Sequence, residues 1–236
     1  MRRLLLLSNS TNHGRGYLDH AMDAVRAFLG PIRRVVFAPF ALRDVRGYAE
    51  KARGRFAREG IEVTSLPEGP AALEVLESAD AVFVGGGNTF RLLARLERAG
   101  LVEPLRRRAL GGLPYLGASA GTNIAAPTIK TTNDMPIVQP ARFEALGLVP
   151  FQINPHYVEP DPTSRHMGET REERLREYLE ENEPPVIGLR EGAWLRVEGT
   201  EARLEGTAGA RVFRRGREPE ELSPGSVLDD SLLEGH

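Results

Sequence analysis

A serine lies between two glycines in the stretch Gly117-Ala118-Ser119-Ala120-Gly121. A short apolar run, residues 113–116, precedes this stretch, and residues 122–126 are typical of the start of a helix. A serine at such a strand-to-helix turn, with a glycine two residues away on each side, has the arrangement of a nucleophile elbow. The glycines allow the sharp turn that exposes the hydroxyl, and the N–H of Ala120 is then free to face an oxyanion. The pattern predicts that Ser119 is a nucleophile.

A serine is a weak nucleophile until a base takes its proton, and the base must be oriented by a third group. His156 follows a short predicted strand and has Pro155 directly before it, so its position is fixed at the end of that strand. This favours His156 as the base. The other histidines lie in the first loop, in a predicted helix, in a polar loop and at the C-terminus, where surface, structural or substrate-contact roles are favoured: they are His13, His20, His166 and His236.

Two acids compete to orient His156, and the residues alone leave the choice open. Asp134 lies in the loop after the nucleophile helix, which gives the chain order Ser, Asp, His of α/β hydrolases. Glu191 lies at the end of a predicted strand, which gives the order Ser, His, Glu. Either carboxylate has a structural alternative, Asp134 in an Asx turn and Glu191 beside the tight turn at Gly192.

A second glycine turn, Gly85-Gly86-Gly87-Asn88, joins a predicted strand to a predicted helix. One interpretation is a phosphate cradle at the helix N-terminus. However, the turn lacks the Gly-Lys-Ser/Thr ending of a P-loop and the Gly-x-Gly-x-x-Gly spacing of a dinucleotide site. The other interpretation is an oxyanion loop that donates a backbone N–H alongside that of Ala120. No pair of histidines has the spacing of a metalloprotease, so we predict no metal site.

Strands and helices alternate along the first half of the chain, and this predicts a mostly parallel sheet with helices on both faces. Ligands bind such sheets at the carboxyl ends of the strands, where both glycine turns fall. The predicted strands are residues 4–7, 35–37, 61–66, 81–84, 113–116, 151–153 and 186–189. The predicted helices are residues 17–29, 44–58, 71–78, 90–99, 102–110 and 171–181.

Three more short strands with glycine turns, residues 193–197, 202–205 and 210–214, predict an antiparallel β meander near the C-terminus. The expected fold class is therefore α/β, a three-layer sandwich with a mostly parallel central sheet and a C-terminal antiparallel meander. We expect a single domain over residues 1–236, with a loosely held tail after residue 223.

The composition excludes several classes of function. The 236 residues contain no cysteine, which excludes disulfides, thiolate metal sites and a cysteine nucleophile. A net charge of −2 gives no reason to expect a nucleic acid or a membrane surface as partner. The N-terminal apolar run, residues 4–7, is too short for a signal peptide, and no stretch approaches a transmembrane span. We therefore expect a cytoplasmic protein.

Taken together, these motifs resemble peptidase E, the α-aspartyl dipeptidase family of serine peptidases. The family is related in fold to class I glutamine amidotransferase domains, with serine in place of the cysteine nucleophile. The segment Thr131-Thr132-Asn133-Asp134-Met135-Pro136 is the most specific match. The other matching segments follow in the order of the family: residues 4–11, 84–90, 119–121, 127–129, 137–138, 152–156, 168–172 and 187–192.

The resemblance implies hydrolysis of dipeptides with an N-terminal aspartate, without a cofactor, in the cytoplasm. It carries over Ser119 as the nucleophile and His156 as the base, and both Asp134 and Glu191 match acids of the family. Ala118 departs from the family pattern, which often has a tryptophan before the serine; this departure concerns the packing of the elbow and leaves the nucleophile in place.

Selection of aspartate needs a cation near its side-chain carboxylate. Thr170-Arg171-Glu172-Glu173 has the form of a capping box, so that Thr170 would begin a helix and Arg171 would be its first residue. A guanidinium beside free helix N–H groups suits a carboxylate. The alternative is an exposed arginine on a charged helix, in which case Arg142 or Arg165 is the next candidate.

We therefore predict a serine exopeptidase that releases N-terminal aspartate from dipeptides through an acyl-enzyme on Ser119. The groups expected at the oxyanion and substrate sites are Gly86, Gly87, Asn88, Ala120 and Arg171. One alternative is a cyanophycinase-like peptidase, which shares the nucleophile turn but cleaves β-aspartyl links. The other is a non-catalytic nucleotide-binding module that uses residues 85–89. The expected partner is a small Asp-X peptide, and the oligomeric state is left open.

Overall fold

Two β-sheets and the helices that cover them make up the part of the chain that the computed structural model describes, residues 1–159, 168–229 and 232. The strands are β1 Arg3–Leu7, β2 Arg34–Ala38, β3 Glu62–Ser65, β4 Val82–Val84, β5 Tyr115–Ala118, β6 Gln152–Pro155, β7 Val186–Leu189, β8 Ala193–Glu198, β9 Glu201–Gly206, β10 Ala210–Phe213 and β11 Glu220–Leu222. The helices are α1 Met22–Leu29, α2 Val45–Ala57, α3 Ala71–Glu77, α4 Thr89–Arg98, α5 Val102–Leu110, α6 Ala120–Asn123 and α7 Arg171–Glu181.

The larger sheet has seven strands in the order β3-β2-β4-β5-β1-β8-β9. The five strands from β3 to β1 are parallel, and β8 and β9 extend the sheet as an antiparallel hairpin beside β1. Strand β1 lies in the interior, with Leu4 and Leu6 in the core on one face and Leu5 and Leu7 in the core on the other. Burial on both faces explains why this strand is a continuous apolar run.

The two faces of the larger sheet are covered differently. Helices α1 and α2 pack on one face, where Val25 and Phe56 join the same core as Phe37 and Phe83 of the sheet. Helices α3 to α6 and the second sheet pack on the opposite face. The predicted α/β sandwich with a mostly parallel central sheet is therefore confirmed.

The second sheet has four strands in the order β11-β10-β7-β6, of which β6 and β7 are parallel. Helix α7 covers its outer face through Leu175 and Leu179, which pack with Val186 and Phe213. The three C-terminal strands predicted as one meander divide between the two sheets. The hairpin β8–β9 pairs with the free edge of β1, whereas β10 pairs with the free edge of β7.

The first helix is shorter than the predicted range of residues 17–29. Leu18 has a φ of 60°, which an α-helix does not admit, so residues 17–21 form a turn and the helix begins at Met22. His20 therefore lies in this turn and not in a helix.

The sequence predicts a loosely held tail after residue 223, but Leu228 and Leu232 are buried against the main core. The N–H of Leu228 also donates to the carbonyl oxygen of Ala202 at 2.8 Å. Arg165, His166 and His236 lie outside the described residues. Among the helices that are described, none is both long enough and apolar enough to cross a membrane.

Candidate active site

The site forms where strands of both sheets end. Strand β5 of the larger sheet is followed at once by Ser119, and its neighbour β1 is followed by Ser8. In the second sheet, the parallel strands β6 and β7 lead to His156 and, one residue later, to Glu191. Carboxyl ends of parallel strands are where open α/β sheets place their ligand sites.

Three of the predicted residues form a continuous hydrogen-bonded chain. The Oγ of Ser119 lies 2.9 Å from Nε2 of His156, and Nδ1 of His156 lies 2.6 Å from Oε1 of Glu191. A carboxylate only accepts, so Nδ1 carries the proton and Nε2 is left to accept the proton of Ser119. This is the geometry that a serine nucleophile, its base and an orienting acid require.

Ser119 has a strained backbone, with φ 53° and ψ −111°. The two glycines of the elbow are needed because the chain is crowded there. A Cβ on Gly121 would lie 2.1 Å from the carbonyl oxygen of Val84, and a Cβ on Gly117 would lie 2.7 Å from that of Gly121. The serine is thereby held above the end of β5 in a conformation of the kind that functional sites maintain at an energetic cost.

Ser8 is a buried residue of the site to which the sequence analysis gives no role. Its Oγ accepts from the backbone N–H of His156 at 2.9 Å and donates to the carbonyl oxygen of Leu189 at 2.7 Å. His156 has a φ of 55°, so this bond holds a residue in an unusual conformation. The available signal was a polar residue directly after a fully apolar strand.

The glycine turn after β4 packs directly against the elbow. A Cβ on Gly86 would lie 3.0 Å from the Cβ of Ser119, and a Cβ on Gly87 would lie 2.8 Å from the carbonyl oxygen of Ala41. The N–H of Gly86, a predicted oxyanion donor, instead donates to Oη of Tyr48 at 2.9 Å. Tyr48 is a second residue that the sequence analysis missed, because its helix is distant in sequence.

The remaining candidate donors to an oxyanion are the N–H groups of Gly87 and Ala120. Ala120 opens helix α6, so its N–H has no acceptor within the helix. Asn88 does not act as a donor to Ser119. Its Oδ1 caps α4 by accepting from the N–H of Arg91 at 3.0 Å, and its Nδ2 donates to the carbonyl oxygen of Met135 at 2.8 Å.

The structure places Asp134 at the N-terminus of α4 and not beside His156. Its Oδ2 accepts from the N–H and Oγ1 of Thr89 at 2.8 and 2.7 Å, and from Oγ1 of Thr132 at 3.1 Å. A carboxylate already occupies the position that an anion would take at this helix N-terminus. The arrangement therefore disfavours the interpretation of the glycine turn as a phosphate cradle.

A cleft of about 620 Å³ opens over the elbow. Its walls contain Ser119, His156 and Asp134, and residues of helix α2 and of the first loop also line it. The remaining lining residues are Ser10, Tyr17, Leu42, Asp44, Gly47, Tyr48, Lys51, Gly86 and Gly87. Within the described part of the chain, no three His, Cys, Asp or Glu side chains are grouped to hold a metal ion.

Arg171 is the first residue of α7, and the predicted capping box is present. Oγ1 of Thr170 accepts from the N–H of Glu173 at 3.2 Å, and Oε2 of Glu173 accepts from the N–H of Thr170 at 2.6 Å. Arg171 itself is half-buried, and burial together with the charge of Arg174 lowers its pKa, while Asp134 raises it. The guanidinium of Arg171 interacts electrostatically with the carboxylate of Asp134. It forms no hydrogen bond or ion pair with any described residue.

Residues 4–205 match the family described as Peptidase family S51. A Peptidase E from Streptomyces coelicolor is 62% identical over 229 residues, which are 97% of this chain and 94% of that protein. A Drosophila melanogaster protein named as a probable alpha-aspartyl dipeptidase is 48% identical over 226 residues, which are 94% of each chain.

Solved structures share the fold at low sequence identity. A peptidase from an acI-B1 Actinobacterium superposes with a TM-score of 0.73 at 16% identity, over 97% of this chain and 96% of the other. A Listeria monocytogenes protein superposes with a TM-score of 0.68 at 23% identity, over 88% of this chain and 100% of the other.

Proposed function

Because the chain belongs to peptidase family S51 and is a serine-type dipeptidase, we propose that its substrates are dipeptides that begin with aspartate. Arg171 carries this proposal. It is a half-buried cation without a partner among the described residues, and it lies within electrostatic range of a carboxylate in the wall of the cleft. The name of the Drosophila relative supports the same substrate class.

In the proposed acylation step, Oγ of Ser119 attacks the scissile carbonyl carbon while its proton passes to Nε2 of His156. Glu191 holds Nδ1–H and stabilises the imidazolium that forms. His156 then gives this proton to the leaving nitrogen, so the C–N bond breaks and the second amino acid departs. An ester between Ser119 and the aspartyl group remains.

Deacylation repeats the proton transfers with water. The water oxygen attacks the ester while His156 takes a proton from the water. His156 then gives this proton to Oγ of Ser119 as aspartate is released. In both steps, we propose that the N–H groups of Ala120 and Gly87 stabilise the oxyanion. The N–H of Gly86 becomes available only if Tyr48 releases it, since Oη of Tyr48 is its acceptor.

Recognition of aspartate is assigned to Arg171. A half-buried guanidinium that lacks an anion is unfavourable, because partial burial penalises its charge. The side-chain carboxylate of a bound aspartate would supply two acceptors in the plane that a guanidinium prefers. An uncharged side chain in the same position would leave the cation unpaired, so asparagine is expected to be a poor substitute.

Asp134 is assigned to the substrate's α-ammonium group. Its Oδ2 is occupied by Thr89 and Thr132, whereas Oδ1 has no partner among the described residues. Asp134 also lines the cleft that contains Ser119. A carboxylate oxygen held in this way would favour substrates whose first residue has a free amino group. This is the substrate requirement of an exopeptidase that removes the N-terminal residue.

The proposal is tested with Asp-Leu, Asn-Leu and β-Asp-Leu as substrates for the parent enzyme and Ser119→Ala. We expect kcat/KM for Asp-Leu to exceed that for Asn-Leu by about 10³ or more, because a site built around an unpaired charge rejects uncharged analogues strongly. In Ser119→Ala, kcat should fall by a factor on the order of 10⁶, while the melting temperature stays unchanged. Preference for β-Asp-Leu would instead indicate the cyanophycinase-like alternative, and Ser119→Ala activity within tenfold of the parent would exclude this nucleophile.

A further inference from the structure

One face of helix α2 forms a wall of the cleft. Asp44, Gly47, Tyr48 and Lys51 all line it, and their spacing of three, four and seven residues places them on one side of a helix. Asp44 is already in use as the N-cap, because its Oδ1 accepts from the N–H of Gly47 at 2.9 Å. Lys51 therefore remains as the cation of this wall.

The ammonium of Lys51 is positioned but not neutralised. Its Nζ lies 4.7 Å from the centre of the Tyr17 ring, which is a cation–π contact. Tyr17 is itself buried, and its hydroxyl lies 3.4 Å from Oη of Tyr48. Lys51 forms no ion pair or hydrogen bond with any residue in the described ranges. A positive charge is thus held beside the cleft without a protein anion.

Lys51 and Arg171 lie on opposite sides of the larger sheet. Helix α2 packs on the face that carries Phe37 and Ala118, whereas α4 and the second sheet pack on the other face. Helix α7, which begins with Arg171, lies beyond the second sheet. Ser119 directly follows β5 of the sheet that separates these two sides, so a substrate placed across Ser119 can have one half on each side.

We propose that Lys51 binds the C-terminal carboxylate of the dipeptide and thereby selects dipeptides over longer peptides. A dipeptide beginning with aspartate carries two carboxylates and one ammonium group. Arg171 and Asp134 account for the side-chain carboxylate and the ammonium, and Lys51 accounts for the second carboxylate. In a longer peptide, a neutral amide replaces that carboxylate next to the leaving nitrogen. The inference rests on the proposed function, since it places aspartate on the Arg171 side.

The test compares Asp-Leu with its C-terminal amide, Asp-Leu-NH₂, which differs only in the charge that Lys51 would bind. The variants are Lys51→Met, which keeps the length of the side chain, and Lys51→Arg, which keeps the charge. Lys130→Met is the matched control, because Lys130 is the other lysine of the chain and its Nζ is bonded to Oδ1 of Asn182, away from the cleft.

The parent enzyme should favour Asp-Leu over the amide by about tenfold in kcat/KM, the value of one partly exposed charged hydrogen bond. Lys51→Met should lower kcat/KM for Asp-Leu by about tenfold, mainly through KM, and that for the amide by less than about twofold. Lys51→Arg should keep most of the preference for Asp-Leu over its amide, and Lys130→Met should keep all of that preference.

Two results would overturn the inference alone: an unchanged preference in Lys51→Met, or an equal loss on both substrates. A parent enzyme that hydrolyses Asp-Leu no faster than Asn-Leu would overturn the proposed function instead, and the inference with it.

Discussion

Oδ2 of Asp134 accepts from both the backbone N–H and the hydroxyl of Thr89, at 2.8 and 2.7 Å. The carboxylate of Asp134 therefore accepts the hydrogen bonds of the first residue of α4, while Glu191 is the acid that contacts His156. The two acids between which the sequence leaves the choice open thus have separate positions, and substitutions at each should have separable kinetic effects.

Glu191→Gln should lower kcat by about 10⁴, because an amide oxygen cannot stabilise the imidazolium and the amide can favour the wrong tautomer. Asp134→Asn keeps an acceptor for Thr89 but loses the charge proposed to bind the substrate's ammonium group. We expect its loss to be mainly in KM, by about tenfold. Steady-state kinetics on Asp-Leu measure both, and a normal kcat in Glu191→Gln would refute the role of Glu191.

Arg171→Ala should remove most of the preference for Asp-Leu over Asn-Leu, because its guanidinium is the proposed partner of the aspartate side chain. The rate on Asp-Leu should fall by about 10² or more, while that on Asn-Leu changes little. Arg171→Lys should retain only part of the preference for Asp-Leu, since an ammonium group cannot donate two parallel hydrogen bonds to a carboxylate as a guanidinium does. Arg142→Ala is the control, because Arg142 is exposed and is the alternative cation; a reduced preference in that variant would transfer the role to Arg142.

Ser8→Ala should reduce both stability and kcat. It leaves the part-buried N–H of His156 without its acceptor and the buried carbonyl oxygen of Leu189 without its donor, which costs about 1–3 kcal/mol of unfolding free energy. The altered position of His156 should lower kcat by about tenfold with little change in KM. Urea unfolding and steady-state kinetics provide the two readouts. Ser78→Ala serves as control, since the Oγ of Ser78 donates a hydrogen bond to the nearby carbonyl oxygen of Val75 at the surface and has no other partner among the described residues. A full kcat in Ser8→Ala would show that Ser8 does not position the base.

His20 should make the fold less stable in mild acid. Both of its ring nitrogens are buried without a hydrogen-bonding partner in the described ranges, and burial lowers its pKa below the usual 6.5. Below pH 6.5 the unfolded chain therefore binds a proton that the folded protein does not, so stability falls as the pH falls toward the lowered pKa. Melting temperatures from pH 7.5 to 5.5 should decline less steeply in His20→Gln than in the parent. His13→Gln, at an exposed histidine, should follow the parent; equal slopes in all three proteins would exclude His20.

The sequence was informative where a local pattern dictates local geometry. Apolar runs predicted the strands of the parallel sheet, and the spacing around Ser119 predicted a sharp turn at the end of one of them. The capping box at Thr170 predicted the start of α7, because each of its bonds joins residues only three positions apart. In each case the residues that determine the structure are neighbours in the chain.

The rest depends on contacts between distant segments. No local pattern announces the φ of Leu18, which shortens the first helix and is accompanied by a bond from its N–H to the carbonyl oxygen of Ser10. The bond between Tyr48 and Gly86 joins residues 38 positions apart, and the bond between Ser8 and His156 spans 148 positions. The separate positions of Asp134 and Glu191 likewise follow from the packing of the two sheets.

The serine comes from one sheet, whereas the histidine and the glutamate follow strands of the other. A partial opening that parts the two sheets without unravelling either would therefore abolish turnover while most amides stayed protected from hydrogen exchange. The rate of turnover thus measures whether the two sheets are packed together. In a urea titration, we expect loss of turnover to precede loss of the far-ultraviolet circular dichroism signal.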